Sequence, residues 1–432
     1  MSEKLSRRSL LKAGGVALGG GAVAAAGWTV TNGGRASASQ WQVAQTPTNV
    51  TLNAAAVSAA SPFAVGGGGT VLQRESGGSD SGSGSWSHVL RQGPTGNGKD
   101  LLAADATDDG KRVWFGGDAG VLAAYDVSTG KIHHHSTPSQ VKSKWTGIAV
   151  RGTSGENEHV YLTTDSGQQF TGVRASPGGE LQWRELKKPG SGATIPSTDF
   201  RALTDGRLAD TNGKVFDTRD AGATWDAIGI EDAGADYLGM ADVATDDCTV
   251  VGEQGTIYHY DGKNWRRFTV CDPDVYGVQR SGDAGLAVAG SGLVLQRSGV
   301  EKWRTVDTPT EKDLYGLAVG SKLAVAVGDG GTVVERRRGA TASPATTRPV
   351  SFAVWCRRPR RRFRRRVASA TAHRRGRWPG AHTACRRAGP RATRRSESTG
   401  GGGASAFGSG SRRRARRRRA TGGGRDCPRT RR

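Results

Sequence analysis

The final 97 residues of this 432-residue chain contain no lysine, although arginine occurs there 31 times. Cysteine is scarce throughout: Cys248 and Cys271 fall in the body, Cys356, Cys385 and Cys427 in the arginine-rich end. None is spaced as C-x-x-C, which excludes a zinc ribbon or a thioredoxin-type redox motif. Cys248 and Cys271 are expected as free thiols, because a bridge needs Cα atoms within about 7 Å and the two belong to separated strands. No segment after the N-terminus approaches the ~18 apolar residues of a membrane-spanning helix. No segment sustains a 3.6-residue apolar period, so the body does not read as helical. The glycine turns join strand to strand, which excludes phosphate-loop and dinucleotide readings.

The net charge of +23 averages two unlike polymers. Residues 336–432 carry 31 arginines and two acids, whereas residues 39–335 carry 36 acidic and 26 basic side chains, a net of −10. The body is acidic and only the C-terminal segment is basic.

At the N-terminus, Ser6-Arg7-Arg8-Ser9-Leu10-Leu11-Lys12 resembles the twin-arginine export motif. A Gly/Ala-rich apolar stretch follows, ending in the small-residue triplet Ala36-Ser37-Ala38. Basic, apolar and small-residue regions in that order read as a cleavable signal. Residues 1–38 are therefore expected to be the signal, with Arg7 and Arg8 its export residues. The mature chain would start near Ser39, outside the cytoplasmic membrane. No cysteine follows the apolar stretch, so no lipid anchor is expected there.

Between Gln40 and Arg336 a pattern recurs every 40 residues or so: W-x-x-V, a polar loop, an apolar strand, then a second one running into G-x-x-G-T-V. Trp41, Trp86, Trp183, Trp225, Trp265 and Trp303 open six copies, and Ile132 holds that place in a degenerate seventh. Each copy holds four strand-length runs bounded by Gly, Pro, Asp and Asn. Periods of this size mark propellers, solenoids or arrays, and four strands per repeat select the propeller. The expected fold is all-β, a seven-bladed β-propeller over 39–336, followed by a disordered basic tail over 337–432. The tryptophan strand reads as the outermost of the preceding blade, so Trp41-Gln-Val would complete the seventh blade and close the ring.

The repeated VG-x-x-G-T-V and W-x-x-V patterns resemble the YVTN/BNR-like propellers, including the group related to photosystem II assembly factors. Thr218-Arg-Asp220-Ala-Gly222-Ala-Thr-Trp225 is similar to their Asp-box, S/T-x-D-x-G-x-x-W. The resemblance implies a structural turn between third and fourth strands, its carboxylate bonding turn amides and Trp225 packing between strands. Thr163-Thr-Asp165-Ser-Gly167-Gln-Gln-Phe170 has similar spacing but falls on a second-to-third-strand turn and is set aside. Tyr125-Asp-Val-Ser-Thr-Gly130-Lys resembles a turn of YVTN and quinoprotein-like propellers, which bears on architecture alone.

Sialidases also carry Asp-boxes, so a sialidase-like glycan hydrolase is the alternative. Such an enzyme needs three substrate-binding arginines, and Arg266, Arg267 and Arg304 do not assemble a triad by position. His133, His134 and His135 alternate faces if they form a strand, so at most two share a side. They read as an exposed strand or loop, and Asp108-Asp109 and Asp246-Asp247 as solvated turns. No catalytic, cofactor-binding or metal-ligating residue is assigned, and no cofactor is expected. The expected function is an exported, monomeric, non-enzymatic platform for a protein or glycan partner. Loops on one ring face, such as 138–144 and 189–198, would form its surface.

For the tail, the arginine runs 412–414 and 416–419 fit nucleic acid or an anionic surface. The preferred expectation is translation of GC-rich DNA from a shifted frame near Arg336. Lysine vanishes there, the repeats stop abruptly, and a +29 appendage would attract the acidic body. Signal, acidic body and residue usage together suit a halophilic archaeon.

Overall fold

Unbroken apolar runs on the inner strands follow from burial on both sides, since each sheet has a neighbour over each face. Arg112–Gly117 (RVWFGG) is buried along its whole length, and Leu323–Gly328 (LAVAVG) at every residue but the first. The outer strands face solvent and carry charge, as in Trp265–Thr269 (WRRFT). A computed structural model describes residues 40–75, 84–186, 188–230, 233–299, 302–337 and 352–353.

Seven antiparallel sheets follow one another along the chain. Blade 1 comprises Leu52–Val57, Pro62–Gly66, Val71–Arg74 and Trp86–Leu90; blade 2, Leu101–Ala106, Arg112–Gly117, Leu122–Asp126 and Ile132–His134. Blade 3 comprises Trp145–Arg151, His159–Thr164, Gln169–Arg174 and Leu181–Leu186; blade 4, Ser197–Phe200, Gly206–Ala209, Val215–Thr218 and Asp226–Ala227. Blade 5 comprises Tyr237–Ala244, Asp247–Gly252, Thr256–Tyr260 and Trp265–Thr269; blade 6, Val275–Ser281, Ala284–Ala289, Val294–Ser298 and Trp303–Val306. Blade 7 runs Leu314–Val319, Leu323–Gly328 and Val333–Arg337, and takes its fourth strand, Gln42–Val43, from the start of the ring.

The first strands of successive blades touch, and that of blade 7 touches that of blade 1, so they surround a central axis. Closure is by the register Gln42↔Glu335 and Val43↔Val334. This joins the two ends of the repeat array and removes the open edges an unclosed sheet would expose. Val333–Arg337 pairs with Leu323–Gly328 as far as Leu323↔Arg337, so the propeller extends one residue past the expected boundary at 336. Arg336 lies over the Trp41 ring, 5.1 Å from its centroid. Phe352–Ala353 pairs antiparallel with the first strand of blade 1. The signal with Arg7 and Arg8, and the rest of the basic segment, lie outside the described residues.

The register shifts by one residue near the start of the first strand in blades 1, 2, 3, 5, 6 and 7. In blade 7 the bulge brings Gly316 against blade 1, where an added Cβ would lie 2.8 Å from the Cα of Ala54. Glycine there permits backbone-to-backbone contact around the axis.

An antiparallel meander that starts at the axis gives the ring two unlike faces. Second-to-third turns and the segments linking blades lie on one, here the linker face. First-to-second and third-to-fourth turns lie on the other.

Candidate functional site

On the linker face, each glycine turn is pinned by the chain leaving its own blade. Gly255 has φ +67°, and a Cβ there would fall 1.6 Å from the carbonyl oxygen of Cys271. Gly292 meets Thr310 and Gly331 meets Thr48 in the same way. The second glycine of G-x-x-G is thus required twice, for positive φ and for contact with the linker.

A set of carboxylates stands where the chain enters the innermost strands on this face. Asp100, entering blade 2, accepts the backbone N–H of Gly68 at 2.8 Å. Asp274, entering blade 6, accepts that of Gln254 at 2.9 Å, and Asp313, entering blade 7, that of Ser291 at 2.7 Å. Asp236 immediately precedes the first strand of blade 5. Lys144 occupies the same place before blade 3 and is paired with Asp118 at 3.0 Å. The mouth of the axis on this face is therefore bordered by negative charge. Sequence reasoning missed these aspartates, although Asp236-Tyr-Leu-Gly239, Asp274-Val-Tyr-Gly277 and Asp313-Leu-Tyr-Gly316 repeat legibly. The loops 138–144 and 189–198 link blades 2 to 3 and 3 to 4, on the same face.

The Asp-box residues lie on the opposite face. Thr218 ends the third strand of blade 4, and its Oγ1 accepts the N–H of Gly222 at 2.9 Å. Asp220 accepts the Thr224 N–H at 2.8 Å and the hydroxyls of Thr224 and Thr218 at 2.6 and 2.9 Å. Desolvation is the largest single influence on its carboxyl, but these bonds together outweigh it and hold the carboxyl below the ordinary range. Trp225 donates to Gln169 of blade 3 at 2.8 Å and packs edge-on to Phe200. The motif locks a turn and joins two blades.

The histidine triplet differs from its expected exposure. His134 is exposed, but His135 packs on Trp114, ring centroids 4.7 Å apart, because the indole offers an apolar wall. Burial pushes the pKa of His135 down to about 4. Among the described residues, no three His, Cys, Asp or Glu side chains converge as metal ligands. The aspartate pairs are also more than solvated turns. Asp108 accepts the N–H of Gly152 at 2.8 Å and Asp109 the hydroxyl of Ser154 at 2.9 Å, fastening blade 2 to blade 3. Asp247 holds Arg280 and so fastens blade 5 to blade 6. Cys248 is buried, Cys271 half-buried, and both are free.

Three arginines that spacing does not connect gather between blades 3, 4 and 5. Arg151 meets Asp199 at 2.8 Å and stands 3.7 Å from Asp105. Arg201 reaches Asp242 at 2.6 Å, and Arg207 reaches Asp242 at 2.5 Å and Asp217 at 3.0 Å. Each guanidinium is thereby matched by a buried carboxylate of this chain. Burial pushes Asp105 up to about 7, with Arg151 and two backbone N–H groups only partly opposing it.

No family model and no curated protein matches the chain. Solved structures match it in fold. YCF48 from Cyanidioschyzon merolae aligns with TM-score 0.52 at 14% identity, over 69% of this chain and 98% of its own. YCF48 bound to D1 peptide aligns at 0.54 and 12%, over 70% and 99%. Virginiamycin B lyase from Staphylococcus aureus aligns at 0.56 and 12%, over 69% and 99%. At such identities the likeness concerns the seven-bladed architecture.

Proposed function

We propose that this protein is a non-enzymatic binding platform that takes a cationic protein segment on its linker face. The observation that carries this reading is the placement of Asp100, Asp236, Asp274 and Asp313 at the entries to four innermost strands. Carboxylates on a rigid scaffold around one axis attract a partner of opposite charge and set its register. A peptide-bound YCF48 among the structural neighbours supports peptide capture as a use to which such a ring is put. The matching of Arg151, Arg201 and Arg207 by internal carboxylates favours this platform over a sialidase-like hydrolase. The resemblance of residues 6–12 to the twin-arginine motif supports a site of action outside the cytoplasmic membrane as part of the same proposal.

The test is fluorescence anisotropy of the full-length protein with a labelled Lys-Gly repeat peptide. Joint Asp100→Asn, Asp274→Asn and Asp313→Asn substitution should weaken binding at least tenfold, about 1.4 kcal/mol. Affinity should also fall as salt rises. No change in the triple variant would remove the proposal.

A further inference from the structure

The face opposite the linkers holds a cavity of about 810 Å³ between blades 5 and 6, with Asp247, His259, Asp261, Arg297 and Lys302 in its wall. Arg297 lies on the third strand of blade 6, 2% exposed, opposite Gly285, which offers no side chain to cover it. Its Nη1 donates to the carbonyl of Gly282 at 3.0 Å and stands 3.7 Å from Asp283, whose side chain is 78% exposed. Its Nε and Nη2 meet no acceptor.

The neighbouring groups do not correct this imbalance. Arg280 engages Asp247 with both terminal nitrogens, His259 Nδ1 stands 3.5 Å from the same carboxylate, and Arg280 Nε also lacks an acceptor. Two enclosed guanidiniums therefore face one partly exposed carboxylate, Asp247, which Arg280 engages, and the solvent-exposed Asp283 beside Arg297. Burial, with Arg280 alongside, draws the pKa of Arg297 below its ordinary value, as expected of a cation short of counter-charge.

The Nε and Nη2 hydrogens of a guanidinium form a planar fork that matches the two oxygens of a carboxylate. The rim selects further. Asp246, Asp261 and Asp283 border the same cavity beside Arg266 and Lys302, so a ligand that carries both a positive and a negative group finds a partner for each. We propose that this cavity binds a small zwitterion of amino-acid type, its carboxylate on Arg297 and its ammonium group among the rim aspartates. The site lies on the other face from the peptide platform and stands or falls independently of it.

Isothermal titration of the full-length protein with L-lysine, L-lysinamide and acetate tests the assignment. L-lysine should bind saturably, while lysinamide, without the carboxylate, and acetate, without the ammonium, should each bind at least tenfold more weakly. Arg297→Met should abolish the L-lysine signal. Because burying methionine there could disturb the blade, Asp283→Asn provides a second variant at an exposed position, expected to weaken L-lysine severalfold with an unchanged melting temperature. Absence of saturable L-lysine binding, lysinamide binding as tightly as L-lysine, or full affinity in both variants would overturn the proposal.

Discussion

Trp86 donates its indole N–H to the Oε1 of Glu335 at 2.9 Å, so the outer strand of blade 1 is held by a carboxylate on the third strand of blade 7. The same carboxylate accepts Arg74 Nε at 2.9 Å and the Gly84 N–H at 3.1 Å, and is 4% exposed. It acts at the seam where the first and last blades meet.

Glu335→Ala should therefore strip three donors of one acceptor. The expected loss is about 3 kcal/mol, typical of breaking a buried ion pair on one side. Trp86→Phe, which removes one bond to a charged group, should cost about 2 kcal/mol. Urea unfolding would show both as lowered midpoints. A midpoint for Glu335→Ala equal to wild type would mean the seam is held by strand pairing alone.

The two kinds of turn glycine make a paired prediction. Gly68 has φ +63° with nothing near its would-be Cβ, so Gly68→Ala should cost only the backbone penalty of about 1–2 kcal/mol. Gly255→Ala meets that penalty and also collides with Cys271, and should be clearly worse. Thermal melts of the two variants side by side would show the difference.

Asp105 and Asp220 should tilt stability with pH in opposite directions. Asp105 is raised to about 7 in the folded protein, against an unfolded value of 3.8, so the folded state holds the extra proton between those values. Its contribution is full below pH 3.8 and declines as pH rises to about 7. The slope should not exceed about 1.4 kcal/mol per pH unit. Asp105→Asn keeps an acceptor for only one of the two N–H groups, at some cost in overall stability, but should flatten that decline in chemical-denaturation curves.

Asp220 is depressed, so its contribution is complete above the unfolded value and is lost as pH falls through the lower folded one. The carboxylate is solvent-facing, which limits the effect of Asp220→Ala to about 1 kcal/mol. The loss should shrink as pH falls through the lowered folded value, where the wild-type carboxyl also protonates. A constant difference across acid pH would assign the effect to turn geometry alone.

The architecture was readable because each blade restates the same constraints. Tryptophan opens the outer strand, apolar runs fill the middle, and glycine marks the turn that the linker crosses. Even the exchanged strand at Gln42–Val43 follows from counting, since seven tryptophan positions must supply seven outer strands. The candidate sites were less legible for a physical reason. Arg151, Asp199 and Asp242 belong to different blades, and Arg297 matters because of what Gly285 and Arg280 fail to supply. Pattern within a repeat identifies strands, whereas charge balance between repeats emerges only when the ring closes. The linker-face aspartates fall between these cases: the D-x-x-G spacing of Asp236, Asp274 and Asp313 is visible, but its meaning depends on the entry to the innermost strand lying beside the axis.

Hydrogen exchange of the full-length protein, with and without the Lys-Gly peptide, tests the platform reading most directly. The account predicts slowed exchange in the linker segments around residues 92–101, 270–276 and 308–315, which carry Asp100, Asp274 and Asp313. Protection confined to the opposite-face turns near Asp246 and Asp261, or none at a peptide concentration that saturates anisotropy, would contradict it.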